Sequence, residues 1–296
     1  MGLYYNDAEV HKKTETIKTI IMKQILFLTV LLISSQVFPQ QNTTYEIYAI
    51  EFAKIPFKVP VSEIAINPKT TDSIRLNFMI WLLKGNNGKS ILVDAGFHKS
   101  PTDSVLAGYI QPDITLQRIN VNPNDITDII LTHPHWDHIG GIDLFPNAII
   151  WMQKKDYDYF VDDAWQQGGK KEGFDSLDVL KIVEKNIRGK VRLVNGDSVE
   201  IMPGIRVFIG SKHTYESQYV LVNSPTDKVL LASDNIWFYY NLEHMISIPL
   251  TFDPQAYVKQ MQRMKTLVKY ELIIPGHSAE VMEKFPKVTD GVVRIR

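Results

Sequence analysis

Three histidines and an aspartate lie within six residues of one another near the middle of this chain. The stretch reads His-Pro-His-Trp-Asp-His over residues 133–138, and two glycines follow it at 140 and 141. Imidazole and carboxylate groups bind zinc and other divalent ions, and the chain has no cysteine that could supply a thiolate. The stretch therefore predicts a metal site, and a solvated polar loop is the less favoured interpretation.

The backbone around these side chains also favours a site. An apolar, partly β-branched run predicts a strand over Ile126–Leu131 that delivers the ligands onto a loop. Because a residue before proline avoids helical angles, His133 and His135 should lie on extended backbone and point to the same side. Asp137 and His138 follow one short turn later, near a predicted helix start. We therefore expect them to face a second metal ion.

Three later strand-like runs each lead to another side chain that can bind a metal. Val207–Ile209 leads to His213, Val229–Leu231 leads to Asp234, and Leu272–Ile274 leads to His277. A site at one edge of stacked sheets requires side chains at several strand ends.

The candidate ligands exceed what one tetrahedral zinc ion uses, since a catalytic zinc takes three protein ligands and a water. Two ions are the natural solution: His133, His135 and His213 for one, Asp137, His138 and His277 for the other, and Asp234 bridging both. A hydroxide shared between the ions would be a nucleophile at neutral pH, while the second ion polarises substrate oxygen. Zinc is the favoured metal, with iron and manganese as alternatives.

Composition restricts the class of protein. The chain has 296 residues, of which 45% are apolar and 22% charged, which is typical of a globular protein with one large domain. A net charge of −1 supplies no field for a polyanion, so we expect no nucleic acid partner, although a local basic patch could lie within that balance.

The first 41 residues have the character of a leader. Lys23 precedes the apolar run Ile25–Ile33, which is too short for a bilayer that needs about 20 apolar residues. We predict that 1–41 is an upstream extension and signal peptide, with translation starting at Met22, and that 42–296 is one exported domain, periplasmic or secreted, without stable membrane association after cleavage. A buried N-terminal helix or an uncleaved anchor is the alternative.

The remaining chain alternates strand patterns with turn signals. We expect strands over Tyr45–Phe52, Leu76–Leu83, Ser90–Val93, Ala148–Met152, Val191–Val194, Ser198–Ile201 and Ile205–Ile209, a hairpin turn at 85–88, and helices within Ser100–Asn120 and Lys154–Arg188. Part of 154–188 could instead form a lid or a pocket wall. Asp94, at the end of one strand, could either cap a loop or hold a ligating imidazole from behind.

The order of the seven candidate ligands resembles the metallo-β-lactamase superfamily and, within it, the N-acyl-homoserine-lactone lactonases. The likeness runs from Tyr45 to the C terminus. It implies an α+β fold built as a four-layer αββα sandwich and two divalent ions. It also implies a small-molecule substrate, a lactone whose ring opens by attack of a bridging hydroxide. It also implies that Asp137 passes a proton to the leaving alkoxide.

Two positions depart from the lactonase pattern. Residues 212–217 read Lys-His-Thr-Tyr-Glu-Ser where lactonases have Gly-His-Thr-Pro-Gly-His, so the loop geometry is expected to differ. Trp237 stands where lactonases carry a tyrosine that binds the substrate carbonyl, so Tyr239 or Tyr240 would substitute, or the role is absent. Another carboxylic ester or thioester hydrolase of this fold, and a non-catalytic metal-stabilised binding protein, are the alternative functions. An apolar cleft for the acyl chain is expected from residues near strand ends: Phe78, Met79, Trp81, Trp237 and Phe238.

Overall fold

A computed structural model describes residues 7–33, 42–99 and 105–296. The chain divides into two units, Met1–Asn42 and Thr43–Arg296. The described part of the first unit contains the helix α1 (Asp7–Ile33). Within the described residues, no helix has both the length and the apolar character needed to cross a membrane. The predicted exit of the signal peptide, at 34–41, lies outside the described residues, so the domain boundary and export stay predictions.

The second unit alternates short strands with helices. Its strands are β1 (Tyr45–Pro60), β2 (Ser73–Gly85), β3 (Ser90–Val93), β4 (Ile126–Ile130), β5 (Ile149–Gln153), β6 (Val191–Val194), β7 (Val199–Met202), β8 (Ile205–Ile209), β9 (Gln218–Asn223), β10 (Lys228–Ser233), β11 (Ile273–Pro275), β12 (Lys287–Thr289) and β13 (Val292–Arg294). Its helices are α2 (Val61–Ile64), α3 (Pro112–Gln117), α4 (Trp136–Ile139), α5 (Lys154–Val161), α6 (Ser176–Ile187), α7 (Tyr239–His244), α8 (Pro254–Leu267) and α9 (Val281–Lys284). Short 3-10 turns lie at Pro123–Asp125, Ile142–Leu144, Asp163–Trp165 and Tyr270–Leu272.

The strands form two sheets. The first has eight strands in the order β12-β13-β1-β2-β3-β4-β5-β6, and the second has five in the order β11-β10-β9-β8-β7. Strands β3 to β6 run parallel to one another, as do β10 and β11, and the other pairs are antiparallel. Parallel neighbours end at the same edge of a sheet, which later matters for the site.

Three layers of apolar side chains hold the sheets and helices together. Ile47 and Trp81 of the first sheet pack with Val220 of the second, so the sheets face each other across a common core. Because side chains alternate along a strand, each sheet also has an apolar outer face, and helices cover that face. Phe160 of α5 packs on the first sheet and Met261 of α8 on the second. The result is the αββα sandwich of the α+β class that the sequence predicts.

The largest differences from the predicted elements lie away from the ligand motif. Within the described part of Ser100–Asn120 only α3 is helical, because Gly108 has a φ of +62° and the backbone at Ala107 pairs with Lys54 of β1. Strands β9, β12 and β13 and helix α8 were not predicted. The Asp253 side chain accepts hydrogen bonds from the first backbone amides of α8, which is a start signal visible in the sequence.

Candidate metal centre

All seven predicted ligands meet at one edge of the sandwich. They form two groups, one of His133, His135, His213 and Asp234 and one of Asp137, His138 and His277, and in each group the ligand atoms lie within 4.8 Å of one another. Strands β4, β8, β10 and β11 each lead to a member of the cluster, and α4 presents Asp137 and His138. The grouping matches the predicted one, with Asp234 in the first group. That the groups bind metal is still a prediction.

The Asp234 carboxylate lies between the two groups and directs one oxygen to each. Its Oδ2 is 3.2 Å from Nε2 of His213 and 3.7 Å from Nε2 of His133. Its Oδ1 is 3.0 Å from Nε2 of His277 and 3.3 Å from Nε2 of His138. This is the arrangement that a bridging ligand requires.

The cluster contains buried polar atoms without a hydrogen-bond partner. Nε2 of His133, His138 and His213 and Oδ1 of Asp234 are all buried and unpaired in the described structure. Buried polar groups nearly always have partners, because an unpaired one costs about 1–3 kcal/mol. Several such atoms aimed at one place fit divalent ions, which would satisfy all of them.

Four histidines are held by a partner on the ring nitrogen that faces away from the cluster. Nδ1 of His138 lies 2.8 Å from Oδ2 of Asp94, Nδ1 of His213 lies 2.8 Å from the Leu250 carbonyl, and Nδ1 of His277 lies 2.9 Å from the Asn77 carbonyl. A carboxylate or carbonyl oxygen only accepts, so Nδ1 carries the proton and Nε2 keeps its lone pair for a metal.

The fourth histidine is His133, whose Nδ1 lies 3.0 Å from the Thr132 hydroxyl. That hydroxyl donates to Asp94, so it accepts from His133. Asp94 therefore holds one imidazole directly and another through Thr132. Of the two roles left open by the sequence, Asp94 has that of holding the imidazoles.

Charge and burial act together on the titration of the cluster. Burial, and then neighbouring imidazoles, hold the pKa of His133 and His135 well below the ordinary value for histidine. Burial alone would raise the pKa of Asp234, but His277 and His138 outweigh it and hold that pKa well below its usual range. Neutral imidazoles and an ionised carboxylate are the protonation states that bind metals.

Backbone strain is concentrated beside the cluster. Asp94, Lys212 and Ser233 have φ values of +61°, +60° and +47°, although none is glycine. A left-handed conformation costs an ordinary residue roughly 1–2 kcal/mol. Each of these residues lies at a strand end or immediately before a candidate ligand, so the strain turns the chain where the site needs it.

Two glycines allow close approach to the ligands. A Cβ on Gly173, whose φ is +81°, would lie 2.7 Å from Cδ2 of His135. A Cβ on Gly276 would lie 2.5 Å from Oδ1 of Asp234. The sequence alone gives no signal of the contact between Gly173 and His135.

Helix α5 supports the loop that carries His213. The buried Asp156 accepts a hydrogen bond from the Thr214 hydroxyl at 2.6 Å and from the Glu216 amide at 3.1 Å. Burial raises the pKa of Asp156 to about 6. Tyr215 stacks on Tyr159 of the same helix, with ring centroids 4.7 Å apart. Sequence reasoning missed Asp156.

Comparison with known proteins agrees with this geometry. The sequence profile of the metallo-beta-lactamase superfamily matches residues 78–277. The chain belongs to the metallo-beta-lactamase superfamily. It is 27% identical to the N-acyl homoserine lactonase AiiA of Bacillus thuringiensis subsp. kurstaki over 73% of this chain and 88% of that protein. The prediction of a metal-dependent hydrolase is thereby confirmed.

Solved structures show the same fold. A variant of Bacillus thuringiensis AiiA with N-decanoyl-L-homoserine at its active site aligns with a TM-score of 0.65 and 22% identity, covering 84% of this chain and all of that one (100%). AidC, a dizinc quorum-quenching lactonase in complex with a product, aligns with a TM-score of 0.61 and 17% identity, covering 86% of this chain and 98% of that one. At these identities the alignments confirm the superfamily fold.

A cavity of about 290 Å³ adjoins the first ligand group of this superfamily member. Its walls come from two loops, at 170–174 and 249–252, and include Phe174, Leu250 and Phe252 beside His135 and His213. The first loop joins α5 to α6, so part of the 154–188 segment is a pocket wall, as one of the two interpretations held.

The residues expected to form the cleft mostly lie elsewhere. Met79 and Trp81 pack between the sheets, because alternation along β2 turns them inward, and Phe238 packs on α2. Phe78 and Trp237 do lie beside ligands, with ring centroids 5.5 Å and 6.3 Å from that of His277. The expected cleft is therefore wrong for the first three residues, and neither Phe78 nor Trp237 lines the cavity between the loops at 170–174 and 249–252.

Neither tyrosine that could replace the lactonase tyrosine contacts the ligands. The Tyr239 ring packs in the core between the sheets, and Nζ of Lys284 lies 3.4 Å from the centroid of that ring. Tyr240 packs on His244, with ring centroids 4.3 Å apart. Trp237 alone occupies the position, and its Nε1 donates to Oδ2 of Asp234 at 2.7 Å.

Proposed function

We propose that this protein is a dinuclear metal-dependent hydrolase that opens lactone rings, with N-acyl-homoserine lactones as its substrates, so that it would quench quorum signals. The observation that carries the proposal is the Asp234 carboxylate, which directs one oxygen to each of two ligand groups. The substrate class is supported by the relative from Bacillus thuringiensis subsp. kurstaki, the N-acyl homoserine lactonase AiiA, 88% of which the chain matches.

Two divalent ions, with zinc favoured, would be held by the two groups. His133, His135 and His213 would bind the first, Asp137, His138 and His277 the second, and Asp234 both. When bound, the ions supply Lewis acidity toward the substrate carbonyl and a bridging hydroxide as the nucleophile. The unpaired Nε2 atoms and the outward-facing Nδ1–H groups of the histidines fit this role.

Asp137 is the residue that we assign to proton transfer. Its side chain is 11% exposed, so it is in the cluster but open to a substrate. Although burial raises the pKa of Asp137, His138 and His277 outweigh burial and lower it. An ionised carboxylate in this position can take a proton from the attacking water and return it to the alkoxide that leaves when the ring opens.

The cavity beside His135 and His213 would receive the acyl chain. Phe174, Leu250 and Phe252 offer apolar surface there, while the rim carries the charged Lys170 and Glu172. A lactone holds its ester in the cis geometry with both oxygens along one edge, so the ring can face the ligand cluster while the chain lies in the cavity. Each buried methylene would contribute at most about 0.8 kcal/mol, which is roughly a fourfold gain in kcat/KM.

A hydrolysis panel on metal-replete protein tests the proposal. It compares acyl-homoserine lactones of increasing chain length with simple γ- and δ-lactones, an aryl ester, a thioester, a β-lactam and a phosphodiester. We expect acyl-homoserine lactones to be preferred and kcat/KM to rise with chain length. A preference for an aryl ester, thioester or phosphodiester over every lactone would leave a hydrolase of this fold without the lactonase assignment.

A matched pair of variants tests the assignment of the cavity. Phe252→Ala should flatten the dependence of kcat/KM on chain length, because it removes apolar wall from the cavity. Phe57→Ala removes the same side chain at a position on β1 that is 59% exposed, and it should leave the dependence unchanged. If both variants keep the wild-type slope, the acyl chain does not lie in this cavity.

A further inference from the structure

Trp237 makes a contact that the ligand motif does not assign. Its Nε1–H donates to Oδ2 of Asp234 at 2.7 Å, and its ring lies edge-on to His213, with centroids 5.8 Å apart. Oδ2 is the oxygen that faces His133 and His213. Oδ1, which faces the other group, receives no hydrogen bond in the described structure.

The turn that carries Trp237 is fixed independently of the metal ligands. The fully buried Tyr257 hydroxyl accepts from the Trp237 amide at 3.2 Å and donates to the Asp234 carbonyl at 3.0 Å. One side chain from α8 thus ties together both ends of the segment from Asp234 to Trp237. The indole is therefore held at a set position relative to the carboxylate.

The hydrogen bond makes the two ligand groups unequal. The first group has three imidazoles and an Asp234 oxygen whose negative charge is shared with the indole N–H. The second has the Asp137 carboxylate, an Asp234 oxygen without a donor, and His138, whose imidazole is held by Asp94. Negative charge strengthens the binding of a divalent ion, so the second group should bind its ion more tightly.

We propose that Trp237 is a positioning residue that fixes the rotation of the Asp234 carboxylate, so that one oxygen serves each ion, and that the ion at the first group depends on this contact. Without the indole donor, the carboxylate can rotate and its Oδ2 no longer has a defined direction. Partners of metal ligands typically change metal affinity 10- to 100-fold when they are removed. The inference rests on the proposed dinuclear centre.

Metal titration of the full chain with Zn²⁺ against a chromophoric chelator tests the inference. For wild-type protein we expect two binding steps. Trp237→Phe removes the donor and keeps an aromatic ring. It should raise the Kd of the weaker binding step about 10- to 100-fold and change the Kd of the tighter step less than about threefold. The metal-free melting temperature should differ little, since the contact is local to the ligands.

A matched control and a rescue variant separate the hydrogen bond from packing. Trp151→Phe removes the same kind of contact, an indole N–H that donates to Asp128 at 2.9 Å, at a carboxylate outside the ligand cluster, and both steps should stay as in wild type. Trp237→Gln places an amide nitrogen the same number of bonds from Cα as the indole nitrogen. It should therefore restore part of the zinc affinity that Trp237→Phe loses in the weaker binding step. This variant also keeps the test decisive if Trp237→Phe does not fold.

The affected group can be identified in two backgrounds. With His277→Ala, which disables the second group, Trp237→Phe should weaken the remaining ion. With His213→Ala, which disables the first, it should have little effect. Equal weakening of both steps, or no change relative to Trp151→Phe, would overturn the inference while leaving the dinuclear proposal intact. Wild-type protein that binds fewer than two ions would overturn both.

Discussion

Asp94 offers the sharpest test of how the metal centre is supported, because its carboxylate holds the site without belonging to the predicted ligands. It accepts from the Thr132 amide at 2.8 Å and the Ser233 hydroxyl at 2.8 Å, and it lies 2.8 Å from Nδ1 of His138. Asp94→Asn keeps the size of the side chain, and asparagine tolerates the φ of +61° at this position. The substitution therefore removes a charge and an acceptor without requiring a new backbone.

The expected loss of metal affinity in Asp94→Asn follows from the hydrogen bonds that are lost. An amide has one oxygen, so it cannot accept from Thr132, Ser233 and His138 as the carboxylate does, and its NH₂ group must face a donor. A hydrogen bond to a charged group contributes about 1.5–3 kcal/mol. Removal of a partner of a metal ligand typically lowers metal affinity 10- to 100-fold, which is about 1.4–2.7 kcal/mol and agrees with the first figure.

The effect should fall on the ion bound by His138. Burial lowers the pKa of His138, but Asp137, Asp234 and Asp94 outweigh it and raise that pKa well above its ordinary value. Loss of the Asp94 charge should therefore lower this pKa and leave the ring free to turn. The expected result is a 10- to 100-fold higher Kd for one ion, measured by chelator competition.

Asp128→Asn is the control, since Asp128 is a buried carboxylate on β4 that bonds to Trp151 and Lys89 and lies outside both ligand groups. It should leave both Kd values within about threefold of wild type, well below the range for a ligand partner. Unchanged metal affinity in folded Asp94→Asn, or an equal loss in Asp128→Asn, would refute the supporting role of Asp94.

Three further predictions concern the support of His213, the packing on His135 and the N terminus. The pKa of Asp156 is about 6 in the folded protein and 3.8 in an unfolded chain. The folded state therefore binds the proton more tightly, and the free energy of unfolding falls as pH rises between these values. Relative to Asp156→Asn, wild type should lose about 2 kcal/mol of that free energy from pH 4 to 7, and urea curves that give the same difference between the two proteins at both pH values would contradict this. Gly173→Ala should weaken metal binding, because the added Cβ meets His135. The control is Gly168→Ala, where φ is +84° and nothing lies within 4 Å of the added Cβ, so that it should only lower stability. Equal metal affinities of the two variants, measured by chelator competition, would count against the contact. N-terminal sequencing of protein from the native host should begin near Gln40, and an intact N terminus at Met1 or Met22 on cytosolic protein would argue against export.

The ligand cluster could be predicted because its information is local in the sequence. Apolar runs mark where β4, β10 and β11 end, and strand ends in a layered fold converge on one edge. The proline between His133 and His135 sets their backbone, and His135 does have extended angles of −72° and 149°. Residue type and strand position together therefore sufficed for the two groups.

The support around the cluster could not be predicted in the same way. Whether Asp94 caps a loop or holds a histidine depends on where Nδ1 of His138 lies, and that is decided 44 residues later in the chain. The cavity walls come from loops without a regular period, so alternation gives no indication of which side chains face inward. Alternation along β2 in fact turned Met79 and Trp81 into the core between the sheets.

The loop at residues 212–217 departs from the lactonase pattern, and side chains of α5 hold it. Where that pattern has proline and glycine after the threonine, this chain has Tyr215 and Glu216. Here Asp156 holds both the threonine hydroxyl and the following amide, Tyr215 stacks on α5, and the buried Glu216 pairs with Lys155 at 3.0 Å. Helix α5 thus holds the loop that carries His213 by side-chain contacts. The same helix also holds the cavity wall at 170–174, because the Tyr159 hydroxyl accepts from the Lys170 amide at 2.7 Å. The position of His213 and the shape of the adjoining cavity therefore depend on one helix.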